Sequence, residues 1–129
     1  MYDDSNELSI GANNDWDKNV RIIVEEGTSV QIGADCQIAV DVTIRTSDGH
    51  SIIDNKSGKR INSAMNILIS NRCWLGESVK ILKGAIIDSD CVIGAASIVT
   101  KGHYEGNCVY AGSPSKLIRK NIRWVTERI

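Results

Sequence analysis

Residues 81–99 read Ile81-Leu82-Lys83-Gly84-Ala85-Ile86-Ile87-Asp88-Ser89-Asp90-Cys91-Val92-Ile93-Gly94-Ala95-Ala96-Ser97-Ile98-Val99, and every sixth position (Ile81, Ile87, Ile93, Val99) is aliphatic. The same step taken backwards reaches Leu75 and Ile69 and, after one break, resumes at Ile44, Ile38 and Ile32. Two residues before these positions stand Val30, Cys36, Val42, Ile67, Cys73, Val79, Ala85, Cys91 and Ser97, all small or apolar. Gly33, Gly76 and Gly94 directly follow lattice residues, where a tight corner benefits from glycine. A helix repeats every 3.6 residues and a strand every two, so a period of six fits neither. It fits a parallel triangular coil with one short strand and one turn per side, successive coils stacking at the ~4.8 Å spacing of neighbouring strands.

The composition agrees with strands. The chain has 19 Ile, 10 Val and 5 Leu but no Phe, and β-branched residues fit a pleated, half-buried surface. One Pro against 11 Gly leaves the turns to Gly, Asn, Asp and Ser. A length of 129 residues suits one small domain that gains from oligomerising. The net charge of −1 hides an acidic front, residues 1–44, and a basic end, residues 101–129. That asymmetry points to a local anionic ligand rather than to nucleic acid. Neither a signal peptide nor an apolar run of the ~18 residues needed to span a bilayer is present, so a cytoplasmic location is expected.

The break between Ile44 and Ile69 amounts to one hexad plus a 19-residue insertion. If residues 45–66 form a loop thrown from one corner, Cys36, Cys73 and Cys91 fall on one side of successive coils as small core residues. A loop this long in a compact domain is usually functional or disordered. The cysteines lack the paired close spacing of a zinc site. Leu8, Ile10-Gly11 and residues 20–24 read as less regular strands of an extra coil. After Val99 the lattice stops, and residues 101–112 read as a loop. Ser113-Pro114 then resembles a helix start, with Leu117, Ile118, Ile122, Val125 and Ile129 at helical spacings. The expected architecture is all-β, with one coil domain over residues 1–112 and a short amphipathic helix over residues 113–129 packed on it.

The lattice, Trp74-Leu75-Gly76, the run from Val92 to Lys101 and the tail Ala111-Gly112-Ser113-Pro114-Ser115-Lys116-Leu117-Ile118-Arg119 together resemble the hexapeptide-repeat acyltransferases. The subgroup they are most similar to is the sugar O-acetyltransferases, including galactoside, maltose, capsule and lipopolysaccharide enzymes. The resemblance implies a left-handed parallel β-helix, a homotrimer with active sites between subunits, and acetyl-CoA lying in a groove between coils. It also implies a catalytic histidine on a projecting loop. Ser47-Asp48-Gly49-His50 occupies that loop here, 24 residues before Trp74.

Acetyl transfer to a hydroxyl needs a base that is largely neutral at pH 7 yet able to take a proton, and imidazole, with its ordinary pKa of ~6.5, meets both demands. His50 is the candidate. Its orienting acceptor would be Asp48, Asp54 or a backbone carbonyl, and Asp48 is taken forward. A backbone N–H at a coil corner near Gly76 would receive the oxyanion. The family's coenzyme positions map onto Trp74, Gly76, Ala95, Thr100, Lys101, Lys116 and Arg119. Of these, Lys101, Lys116 and Arg119 would meet the phosphates through charge-assisted bonds. His103 lies in a segment that departs from the family pattern and is given no role.

The leading expectation is an O-acetyltransferase acting on a hydroxyl of a sugar or saccharide. Two alternatives share the fold: a xenobiotic acetyltransferase and a non-catalytic β-helix scaffold. A γ-type carbonic anhydrase needs three histidine ligands for zinc, and the chain has only His50 and His103. No metal site is expected.

Overall fold

The computed structural model describes residues 5–129; the first four residues of the acidic front lie outside the described residues. The first coil consists of β1 (Glu7–Ile10), β2 (Asp15–Trp16) and β3 (Arg21–Ile23). The second holds β4 (Ser29–Ile32), β5 (Gln37–Ile38) and β6 (Thr43–Arg45), and the third holds β7 (Ile67–Ile69), β8 (Trp74–Leu75) and β9 (Lys80–Ile81). The fourth holds β10 (Ala85–Ile87), β11 (Val92–Ile93) and β12 (Ile98–Val99). β13 (Gly102–Tyr104) and β14 (Cys108–Gly112) form two sides of a fifth, and β15 (Ser115–Lys120) turns back.

Every third strand pairs, giving three sheets: β1-β4-β7-β10-β13, β2-β5-β8-β11-β14-β15 and β3-β6-β9-β12. All ladders are parallel except β14 with β15. The lattice residues fill the centre. Ile38, Ile44, Ile69, Leu75, Ile81, Ile87, Ile93 and Val99 are all buried, and each buried aliphatic side chain contributes about 1.5–3 kcal/mol relative to leaving it exposed. Cys108 continues the thiol column below Cys36, Cys73 and Cys91, because Gln37, Trp74, Val92 and Val109 are in register. All four thiols are free and buried.

The corners repeat as faithfully as the strands. Asp35, Arg72, Asp90 and Asn107, one per coil at the corner between the first and second sheets, have positive φ. Each donates its N–H to the coil before, as Asp90 does to the Asn71 carbonyl at 3.0 Å. Asp41, Ser78 and Ala96 do the same at the next corner. Short polar side chains tolerate this left-handed conformation better than branched ones, which accounts for Asp and Asn recurring there.

Two expectations need correction. Residues 101–112 are not a loop: they form β13 and β14, and Tyr104 and Tyr110 plug the end of the coil. Their rings meet edge to face at 5.0 Å, and their hydroxyls donate to the Thr100 and Glu105 carbonyls at 2.8 and 2.9 Å. Nor do residues 113–129 form a helix. β15 pairs antiparallel with β14, supplying backbone partners to an edge strand that would otherwise stay open. Leu117 and Ile118 remain exposed, so the helical spacing has no face to bury. The chain then runs back over the second sheet, where Trp124 Nε1 donates to the Arg72 carbonyl at 2.7 Å and its ring lies 6.0 Å from that of Trp74. At the opposite end Leu8 and Ile10 are 49% and 44% exposed. No helix among the described residues is long and apolar enough to cross a membrane.

Candidate active site

The corner between the third and first sheets stacks residues 24–28, 46–66, 82–84 and 100–101. Thr46 N–H donates to the Ile23 carbonyl at 3.1 Å, Met65 N–H to Thr46 at 3.0 Å, Gly84 N–H to Asn66 at 3.1 Å and Gly102 N–H to Gly84 at 3.2 Å. The 21-residue segment 46–66 therefore leaves and re-enters the column at one point. Inside it the only bridge is the antiparallel pair Ile53–Arg60, and Ile52, Ile53 and Ile61 are exposed.

What holds the segment is polar. Asn62, buried between exposed Ile61 and Ser63, accepts from Ile52 N–H at 2.8 Å and from Arg60 Nε at 3.0 Å. Its amide nitrogen donates to the His50 carbonyl at 2.8 Å and to the Asp48 carboxylate at 2.9 Å. Lys83, from the coil, donates to Asp48 at 2.7 Å and to the Asn62 carbonyl at 3.1 Å. On the other side the Glu26 carboxylate is paired with both terminal nitrogens of Arg60 and accepts from the Ser47 hydroxyl. The Arg60 and Ser47 hydrogen bonds hold the Glu26 carboxyl down at about 2. Lys83, seconded by Asn62, likewise lowers Asp48.

His50 is exposed at the rim of a shallow depression of ≈ 160 Å³ lined by Glu25, Glu26, Ser47, Ser51 and Arg60. Its backbone is fixed through Asn62, and Gly49 N–H donates to Ser47 Oγ at 3.0 Å. Among the described residues neither ring nitrogen has a hydrogen-bond partner. Asp48, expected to orient the imidazole, instead turns its carboxylate to Lys83 and Asn62. Asp54 closes a local turn with Ser57 at 2.9 Å, the commoner use of an aspartate near glycine.

The expected coenzyme residues fall into two groups. Thr100 and Lys101 share the His50 corner, and the Lys101 stem lies over Gly84, whose missing side chain makes room for it. Trp74, Gly76, Ala95, Lys116 and Arg119 lie on the second sheet and at the corner beyond it, so within one chain the third sheet separates them from His50. Lys101, Lys116 and Arg119 are all exposed and, among the described residues, none is in an ion pair. Ala95 and Ala96 leave an uncluttered corner beside Gly76. These features fit an anionic ligand with a slender arm. The Gly76 N–H, a candidate oxyanion donor, is engaged by the Ile93 carbonyl at 2.9 Å, and those of Ser78 and Val79 are also taken. His103 pairs with Asp88 at 2.9 Å on the first sheet, away from this site. Sequence reasoning missed Glu26, Arg60, Asn62 and Lys83; the alternation Arg60-Ile61-Asn62 inside a polar loop was the available signal.

No protein-family model matches the chain. A polysialic acid O-acetyltransferase from Escherichia coli O1:K1 / APEC is 49% identical over 102 residues, covering 79% of this chain and 33% of its own. One from Neisseria meningitidis is 41% identical over 106 residues, covering 82% of this chain and 49% of its own. The crystal structure of the polySia-specific acetyltransferase NeuO superposes with a TM-score of 0.90 at 42% identity, over 95% of this chain and 52% of that one. The chain belongs to the hexapeptide-repeat acyltransferases. It has their left-handed β-helix, and it spans a third to about half the length of these curated relatives.

Proposed function

We propose that the chain is an acetyl-CoA-dependent O-acetyltransferase acting on a hydroxyl of a sugar or saccharide, with His50 as general base. The observation that carries this reading is the corner between the third and first sheets: an exposed imidazole with no hydrogen-bond partner among the described residues, on a backbone held by Asn62, in the same column as Lys101. A ring nitrogen free of internal bonds is available to an acceptor hydroxyl. His50 takes that proton as the hydroxyl oxygen attacks the acetyl carbonyl, and the imidazolium returns it to the departing thiol sulphur. Lys101, Lys116 and Arg119 hold the coenzyme phosphates, Trp74 packs beside them, and Gly76, Ala95 and Thr100 line the arm. Because His50 and the Lys116–Arg119 group flank opposite edges of the third sheet, the complete site forms between neighbouring subunits of a homotrimer. The names of the relatives support a saccharide acceptor, and acetyl-CoA as co-substrate is consistent with work in the cytoplasm.

The test is calorimetric titration with acetyl-CoA, followed by thiol release in the presence of polysialic acid or a galactoside, on the wild type and His50→Ala. Binding by both, with turnover confined to the wild type, is the expected outcome. If neither binds, the acetyltransferase reading is lost and a β-helix scaffold takes its place.

A further inference from the structure

We infer that Asn62 is a positioning residue for the base, one that sets the His50 backbone from both sides. The inference rests on the reading of His50 as the base. Asn62 is the buried member of a loop whose isoleucines are exposed, an inversion of the usual order that burial of apolar area does not explain. Its amide uses its whole inventory of two donors and two acceptor positions. Both donors meet oxygens and both acceptor positions meet N–H groups, so a flipped amide would face like against like at four points.

The four bonds have a direction. Three of them go to residues 48, 50 and 52, one on each side of His50 and one at His50 itself. The fourth goes to Arg60, which Glu26 ties to the neighbouring coil. Lys83 joins Asp48 and the Asn62 backbone to the next coil. The Asn62 side chain thus links the His50 stretch to Arg60 and Asp48, the two side chains that Glu26 and Lys83 tie to the coils on either side. No other side chain hydrogen-bonds the peptide units of residues 49–52 at more than one point among the described residues. Aspartate at this position would turn an acceptor toward the His50 carbonyl and the Asp48 carboxylate. Alanine would remove the partner of the His50 carbonyl and that of the Ile52 N–H.

A catalytic group must be held to within about 0.5 Å of its working position, and a displacement of about 1 Å costs on the order of 10²-fold in rate. Asn62→Ala and Asn62→Asp are therefore expected to lower kcat by about ten- to a hundredfold. Affinity for acetyl-CoA should stay within about twofold, because the residues proposed to bind it lie outside this network. Amide hydrogen exchange reads the same claim without catalysis. The Ile52 N–H should exchange at least about tenfold faster in Asn62→Ala, while the amides of Ile81 and Ile93 in the coil stay protected. Unchanged kcat, or an unchanged Ile52 exchange rate, overturns the inference. So does a parallel collapse of kcat, coenzyme affinity and coil protection, which would make Asn62 a residue of general stability. His50→Ala is measured alongside. Full turnover in that variant removes the base reading, and the exchange result then still decides whether Asn62 holds the segment.

Discussion

Gly76 carries two explanations, and replacing it with alanine separates them. As a family coenzyme position it would serve a ligand; in the structure it serves the coil. A Cβ on Gly76 would lie 2.8 Å from Ala95 N and 2.9 Å from Ile93 O, where ordinary contact begins at 3.4 Å. The obstacle is the backbone of the next coil, which cannot rotate away, so relief needs the third and fourth coils to part by about 0.6 Å at that corner. Two hydrogen bonds cross there: Gly76 N–H to Ile93 O at 2.9 Å and Ala96 N–H to Glu77 O at 2.7 Å. Parting by that amount lengthens them to about 3.5 and 3.3 Å, beyond or at the edge of good geometry. At about 0.5–1.5 kcal/mol each, their weakening costs about 1–3 kcal/mol. Reduced freedom of the unfolded chain offsets about 0.4–1 kcal/mol of that. Gly76→Ala without ligand should therefore lose about 1–2 kcal/mol in urea unfolding, or roughly 3–10 °C in Tm. Gly94→Ala is the graded control: its Cβ would lie tight against the Ala111 methyl alone, at 3.1 Å, with the Tyr110 carbonyl and Ser97 Oγ at ordinary contact distance, so its loss should be below about 1 kcal/mol. A Gly76→Ala protein as stable as the wild type, or less affected than Gly94→Ala, would refute the packing argument. If coenzyme affinity alone then fell, the glycine would belong to the ligand and not to the coil.

The Glu26 clamp has a pH signature. Its carboxyl titrates near 2 when folded, against 4.5 when free, so between those values the unfolded chain binds more protons. The stabilisation is complete above about pH 4.5 and is lost as pH falls towards 2. Between pH 5 and 3 the Tm of the wild type should accordingly fall more steeply than that of Glu26→Gln; equal slopes would deny the clamp. Ile81 and Ile86 provide a second comparison, since the first is fully buried and the second is 43% exposed. Ile81→Ala should cost about 2–5 kcal/mol in denaturant unfolding and Ile86→Ala below about 1 kcal/mol. The reverse order would deny that the lattice residues form the core.

The lattice from Ile32 to Val99 was legible because its period is set by covalent spacing alone. Its continuations were less so. Ile10, Trp16 and Ile22 keep the step of six, but ten residues separate Ile22 from Ile32, and Val99 is followed after five by Tyr104. Both irregular steps sit at the same corner, where a change of length costs no register, and the plugging residues are tyrosines outside an aliphatic search. The tail was misread because its spacings suit a helix, whereas its conformation answers to the open edge of β14, a demand no local pattern records. The loop and His50 could be located from the register break and the family resemblance. The partners of His50's neighbours could not, because Glu26, Asn62 and Lys83 are brought together across separations of 14 to 35 residues by the stacking of corners.

That stacking has a consequence for how such a chain can change over generations. Between the second and third coils the numbering advances by 37 on every side (Ile32 to Ile69, Ile38 to Leu75, Ile44 to Ile81), yet every inward side chain still meets its counterpart. An insertion at a corner is invisible to the core, whatever its length, while one residue added inside a strand would turn that strand's inward side chains outward. Mutation is thus free to lengthen, shorten or exchange the loops at its corners while the columns beneath stay aligned. New specificities on this scaffold can arise by splicing at three edges of a prism rather than by redesigning its interior.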